Sequence, residues 1–197
     1  MKGEVKKGDY EKFRKFMLDN LDEYSGTRMI SLSSNGGDLV ETLKIAKILK
    51  AMYPSVSLGD SCASSCFFLY LTGINRTHGK LGVHRPYFDA TYFSGLPIKD
   101  AEAAHAELTK IVNAYPEANA VPHYLIEIMN RTSSTEIYWL NDKEIGDLGE
   151  RPAWYEEFLI AKCGYDKSVG ERYNDKPENR ELYKAWLENF IKYQPCE

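Results

Sequence analysis

Two serines stand together in Asp60-Ser61-Cys62-Ala63-Ser64-Ser65-Cys66-Phe67-Phe68-Leu69-Tyr70-Leu71-Thr72-Gly73, between one apolar run and the next. At a strand-to-helix turn a hydroxyl is held out of the fold, beside backbone N–H groups that the first turn of a helix leaves unbonded. A serine is a weak nucleophile until a base removes its proton and donors hold the oxyanion. Upstream, Ser34-Asn35-Gly36-Gly37-Asp38 offers a loop in which glycine lets an N–H approach a substrate, with no Cβ in the way and positive φ accessible. Downstream, Gly82-Val83-His84-Arg85-Pro86 offers an imidazole, the usual base near neutral pH.

Ala63 suits a tight turn, which puts Ser64 at the elbow and Ser65 at the first helical position. Ser64 is then the nucleophile, His84 its base, and the N–H groups of Gly37 and Ser65 the oxyanion donors. Because Ser65 acts through its backbone, Ser65→Ala is expected to leave most of the activity. Each motif also has a plainer use. Serine pairs cap helices, Gly-Gly before Asp38 is an ordinary turn and cap, and a histidine after a strand is commonly a packed residue. Cys62 and Cys66, four apart, fit two small buried residues, a disulfide across the turn, or half of a metal site. No Cys/His pair with finger-like spacing supplies the other two ligands, so no metal or cofactor is expected.

The elements that position these residues are read from periodicity. A short strand over Gly3–Val5 precedes a helix from Asp9 to about Asn20, with Tyr10, Phe13, Phe16, Met17 and Leu21 on one face. Strands follow over Arg28–Leu32, Val56–Leu58 and Lys80–Val83. Helices follow from Asp38 to about Tyr53 and over Ser65–Thr72. Strands alternating with helices predict a parallel sheet with right-handed crossovers. In such sheets, sites gather at the carboxyl ends of the strands, and all three motifs follow strand ends. Further helices are expected over Asp100–Tyr115, Pro122–Met129 and Arg180–Lys192. A short strand over Ile137–Leu140 leads into a turn capped by Asn141 and ended by Gly149. The polar stretch Asp166–Glu178 is the linker candidate.

A chain of 197 residues makes one domain, or one with an appendage. The boundary is placed at 150, with a mostly helical extension over 151–197. A net charge of −4 gives no electrostatic case for nucleic acid, and no apolar run reaches the roughly 20 residues of a membrane span. Met1-Lys2-Gly3-Glu4-Val5 has no apolar signal region, so the chain is expected to be cytoplasmic, or exported with its signal already removed.

These motifs together resemble the proteolytic subunit of the Clp protease and the wider Clp-protease/crotonase fold, over roughly residues 3 to 149. The resemblance rests on Ser34-Asn35-Gly36-Gly37, Ala63-Ser64, Gly73 and Val83-His84-Arg85-Pro86. It is closest to a bacterial branch, often exported, with Cys-Ala-Ser-x-Cys around the serine and Leu-Gly-x-His-Arg-Pro around the histidine. The resemblance implies an α/β spiral of ββα units, with a parallel sheet and outer helices. It implies a serine peptidase acting on a peptide or protein through Ser64, His84, Gly37 and Ser65, and self-assembly as a homo-oligomer. The orienting acid falls on Glu136 after a one-residue shift, with Asn130 or a Ser–His dyad as alternatives. Three departures stand out: Asn35 replaces the usual proline, Ser65 is polar, and the acid is displaced. An extended peptide is expected to add along the strand edge after Gly36-Gly37. The other readings are a binding or scaffold protein that keeps the fold without catalysis, and a crotonase-like acyl-CoA enzyme, which would need neither Ser64 nor His84.

Overall fold

The computed structural model describes residues 1–20, 29–88, 93–149 and 151–164, with scattered positions between 166 and 188. Leu21, Cys196, and most of the expected linker and of the helix over 180–192 lie outside them. Three strands run parallel: β1 (Met29–Ser34), β2 (Ser55–Ala63) and β4 (Leu81–Val83). β3 (Asn75–Arg76) pairs parallel with the start of β2, and β5 (Tyr138–Trp139) pairs antiparallel with β4. The strand order is β1-β2-β4-β5, with β3 off that path. The sheet is therefore mixed rather than wholly parallel, because β5 returns antiparallel along β4.

The helices described in this part of the chain are α1 (Asp9–Asp19), α2 (Leu39–Ala51), α3 (Cys66–Tyr70), α4 (Ile98–Glu117), α5 (His123–Arg131) and α6 (Asp142–Leu148). Residues Met1–Glu150 form one compact unit and Arg151–Glu197 a second. The second contains α7 (Ala153–Cys163), which starts after Pro152 and ends at Gly164 in the left-handed conformation.

Two registers set the site. β1 follows β2 evenly from Met29↔Ser55 to Leu32↔Leu58, then slips, so that Ser34 lies opposite Cys62. The slip falls at Gly59-Asp60-Ser61, where the apolar alternation of β2 breaks. That break is why the sequence predicts only the strand's first half. Carrying the register forward puts Gly36 opposite Ser64. On the other side of β2, Ala63 lies opposite Gly82, which carries Val83 to Ser64 and His84 just past it. The N-terminal segment makes no full strand. It adds single bridges, Lys2↔Ser33 and Val5↔Gly37, to the free edge of β1.

α3 is buried on all sides: Cys66 through Leu71 are each at most 4% exposed. Each Phe or Leu so buried contributes about 1.5–3 kcal/mol relative to exposure, so this turn is an anchor of the core. Leu32, Ile45, Leu49, Val56, Leu81 and Leu125 pack into the same cluster. Asp38 caps α2 by accepting from the Glu41 N–H at 3.0 Å. Glu41 in turn caps α1, accepting from the N–H groups of Gly8 (3.0 Å) and Tyr10 (2.9 Å). The Tyr10 N–H, with Lys44 beside it, holds the Glu41 carboxyl below the usual carboxylate range. The loop that carries Gly36 and Gly37 is thus fixed at its Asp38 end.

Candidate active site

Ser64 sits between the last residue of β2 and the first turn of α3, with φ 57°. A left-handed conformation costs a residue other than glycine about 1–2 kcal/mol. It persists where the surroundings over-determine it, commonly at functional turns. Here the Ser64 N–H donates to the Gly82 carbonyl (3.1 Å), and its own carbonyl accepts from the Phe67 N–H (3.0 Å). Cys62 and Cys66 are joined by a disulfide that brackets the turn, and both residues are fully buried. Of the three uses the spacing allows, the cross-link is the one present.

Glycine is required opposite this turn. A Cβ on Gly36 (φ 96°) would fall 2.6 Å from Ser64 Cβ and 2.9 Å from Ser64 Oγ. One on Gly37 (φ 133°) would fall 2.0 Å from the Val5 carbonyl oxygen. The Gly36 N–H turns back to Ser34 Oγ (3.1 Å). The Gly36 carbonyl and the Asp38 N–H are both taken by Val5, at 2.8 Å each. One side of the edge expected to receive a peptide is therefore occupied by the chain's own N-terminal segment. Among the described residues, the N–H groups of Gly37 and Ser65 make no hydrogen bond, and neither does Ser64 Oγ. The Ser65 side chain is buried and lies 3.0 Å from Thr42 Oγ1 on α2.

His84 is half-buried at the end of β4, one position past the residue that faces Ser64. Its Nδ1 lies 2.8 Å from the carbonyl oxygen of Arg85. A carbonyl only accepts, so Nδ1 carries the hydrogen, and in the neutral ring the lone pair is on Nε2. The Arg85 N–H donates to Thr132 O (3.1 Å), which ties this turn to the segment after α5. Any residue carries a carbonyl, so no sequence pattern could single Arg85 out.

No carboxylate bonds His84 among the described residues. Glu136 is exposed, two residues before β5, and its N–H donates to Ser133 O (3.1 Å). Asn130 Nδ2 donates to Asn113 Oδ1 (3.0 Å) on α4, not to the histidine. Nearer β5, the Tyr138 hydroxyl donates to Glu144 (2.9 Å), and that bond raises the phenol's pKa. A cavity of about 230 Å³ under the N-terminal segment is lined by Val5, Phe13, Leu32, Ile45 and Leu69, but by none of Gly37, Ser64, Ser65 or His84. The described residues include no cluster of His, Cys, Asp or Glu able to hold a metal, and no helix long and apolar enough to cross a membrane.

Among the solved structures similar to this one are two of a Clp-protease subunit. ClpP1 from Listeria monocytogenes aligns with a TM-score of 0.52 at 19% identity, and a point mutant of it with 0.54 at 20%. Each alignment covers 77% of this chain and 86% of the other. At these identities the likeness is one of architecture, and the chain has a Clp-protease-like α/β fold. No family model matches the sequence, and no curated protein matches it.

Proposed function

We propose that the protein is a serine hydrolase, acting as a peptidase through an acyl-enzyme on Ser64. The observation that carries the proposal is the left-handed Ser64 turn, with its hydroxyl unbonded beside two unbonded N–H groups and a histidine on the neighbouring strand end. Ser64 Oγ attacks the scissile carbonyl, and its proton passes to Nε2 of His84. The N–H groups of Gly37 and Ser65 hold the oxyanion. As the intermediate collapses, His84 returns the proton to the leaving amine, and water then releases the acyl group by the same steps in reverse. The Arg85 carbonyl keeps His84 in the required tautomer. Glu136 is the candidate for an added carboxylate, since continuing the β4–β5 register puts it opposite Arg85.

The peptidase assignment, the placement in the exported bacterial branch and the homo-oligomer rest on the motif resemblance, above all Cys62-Ala63-Ser64-Ser65-Cys66 and Leu81-Gly82-Val83-His84-Arg85-Pro86. A fluorophosphonate tests the chemistry, because the activated serine displaces fluoride and keeps the phosphonyl group. Intact-mass analysis should find one adduct, mapped to Ser64, and none in Ser64→Ala or His84→Ala. Folded wild-type protein that takes up no adduct would overturn the proposal in favour of a binding protein that keeps the fold.

A further inference from the structure

The polar residue after the nucleophile has an unexplained side chain. Its backbone N–H suffices as an oxyanion donor, yet Ser65 buries a hydroxyl at 4% exposure and aims it at Thr42, which is fully buried. Thr42 Oγ1 also donates to the Asp38 carbonyl at 2.7 Å. A hydroxyl has one hydrogen. With that of Thr42 on Asp38, the Ser65 hydroxyl supplies the hydrogen between the two side chains. A continuous chain results, from residue 65 through Thr42 to residue 38, the neighbour of Gly37. A threonine bonding its own i−4 carbonyl is common in helices and explains the Asp38 contact alone. It does not explain the second hydroxyl, brought from 23 residues away.

We propose that Thr42 is a positioning residue: through Ser65 Oγ and the Asp38 carbonyl it sets the spacing between the Gly37 and Ser65 N–H groups. This rests on the reading of Ser64 as nucleophile. It also reverses the expectation that Ser65→Ala is nearly silent. Two hydrogen bonds in a dry setting resist the displacement of either donor loop more than packing alone would.

The test is the rate of Ser64 labelling by a fluorophosphonate, resolved into kinact and KI, on variants checked by thermal melting. Losing an oxyanion donor outright costs about 100- to 1,000-fold, so losing its brace should cost less. Thr42→Val is expected to lower kinact about tenfold with KI within about twofold, and Thr42→Ser to recover most of the loss. Ser65→Ala should fall by a similar factor, and Thr42→Val/Ser65→Ala no further than either single change, because both break one connection. Wild-type kinact in folded Thr42→Val and Ser65→Ala overturns the brace and leaves the hydrolase standing, as does full additivity in the double variant. Should Thr42→Val not fold, Ser65→Ala decides, since it leaves the Thr42–Asp38 bond in place. An unlabelled wild type overturns the hydrolase, and the brace falls with it.

Discussion

The serine side and the histidine side of the candidate site are built to different standards. Around Ser64 the chain is buried, cross-linked by Cys62–Cys66, paired on both edges of β2 and tied to α2 through Thr42. Around His84 the ring is half-buried and bonded to the carbonyl of the next residue, and Arg85, Glu136 and Ile137 are exposed. The proposed nucleophile and oxyanion donors are thus preorganised by the core. The proposed base is held only locally, by the Arg85 carbonyl and by the Tyr87 ring, whose centroid lies 6.1 Å from its own. Preorganised donors account for much of the stabilisation a transition state receives, so the costlier half of the machinery is the half held rigid. Changes on the serine side should therefore strike stability and reactivity together. Changes on the histidine side should move reactivity and leave the melting temperature alone.

Gly36→Ala is the strongest way to break that contrast. The added methyl lies 2.6 Å from Ser64 Cβ, and φ at 96° is a backbone region that alanine rarely adopts. Backbone strain of about 1–3 kcal/mol is expected, together with a push on the hydroxyl itself. Fluorophosphonate labelling should fall at least about 100-fold, on the scale of a lost oxyanion donor. A variant that labels normally would mean that the glycine loop and the serine turn are not closely opposed.

Removing the disulfide is the middle case. In the chain-entropy account, a loop this short contributes about 2 kcal/mol. That matches the roughly 1–2 kcal/mol needed to hold Ser64 left-handed. The cross-link alone is therefore large enough to pin the turn. Cys62→Ala/Cys66→Ala should lower unfolding free energy by about 2 kcal/mol in denaturant titration and slow labelling several-fold. Loss of stability at unchanged labelling would assign the cross-link to the fold rather than to the elbow.

The contrast between the two sides also governs what the sequence can disclose. Ser64, Gly37, Ser65 and His84 are readable because each follows a strand and its neighbours are the small or glycine residues that such turns require. Thr42 has no signature, since its partner is 23 residues away and a helical threonine is unremarkable. The cysteine spacing favours two small buried residues over a cross-link, and the elbow's geometry overrules it by joining the pair. β3 is two residues long, too short for any period, and α4 runs past the expected end at Tyr115 through Pro116 to Glu117. On the histidine side, the orienting group is a carbonyl, invisible in a side-chain pattern, while the carboxylate that the pattern does offer lies exposed.

Glu136→Gln should have the smallest effect, and it bears most directly on how His84 is oriented. In a serine–histidine–carboxylate triad, replacing the acid by its amide costs about 10,000-fold, chiefly because the imidazole adopts the wrong tautomer. Here the Arg85 carbonyl already dictates the tautomer, and that bond survives the change. What Glu136 can add is its charge, and a charge exposed to water is worth little to a partner it does not touch. The labelling rate should therefore stay within about threefold of wild type and the melting temperature should not move. A loss beyond about tenfold with an unchanged melt would sink the carbonyl-oriented pair. It would mean that residues 133–137 carry the carboxylate to the imidazole during the reaction, making the looser side of the site the part that moves in each turnover.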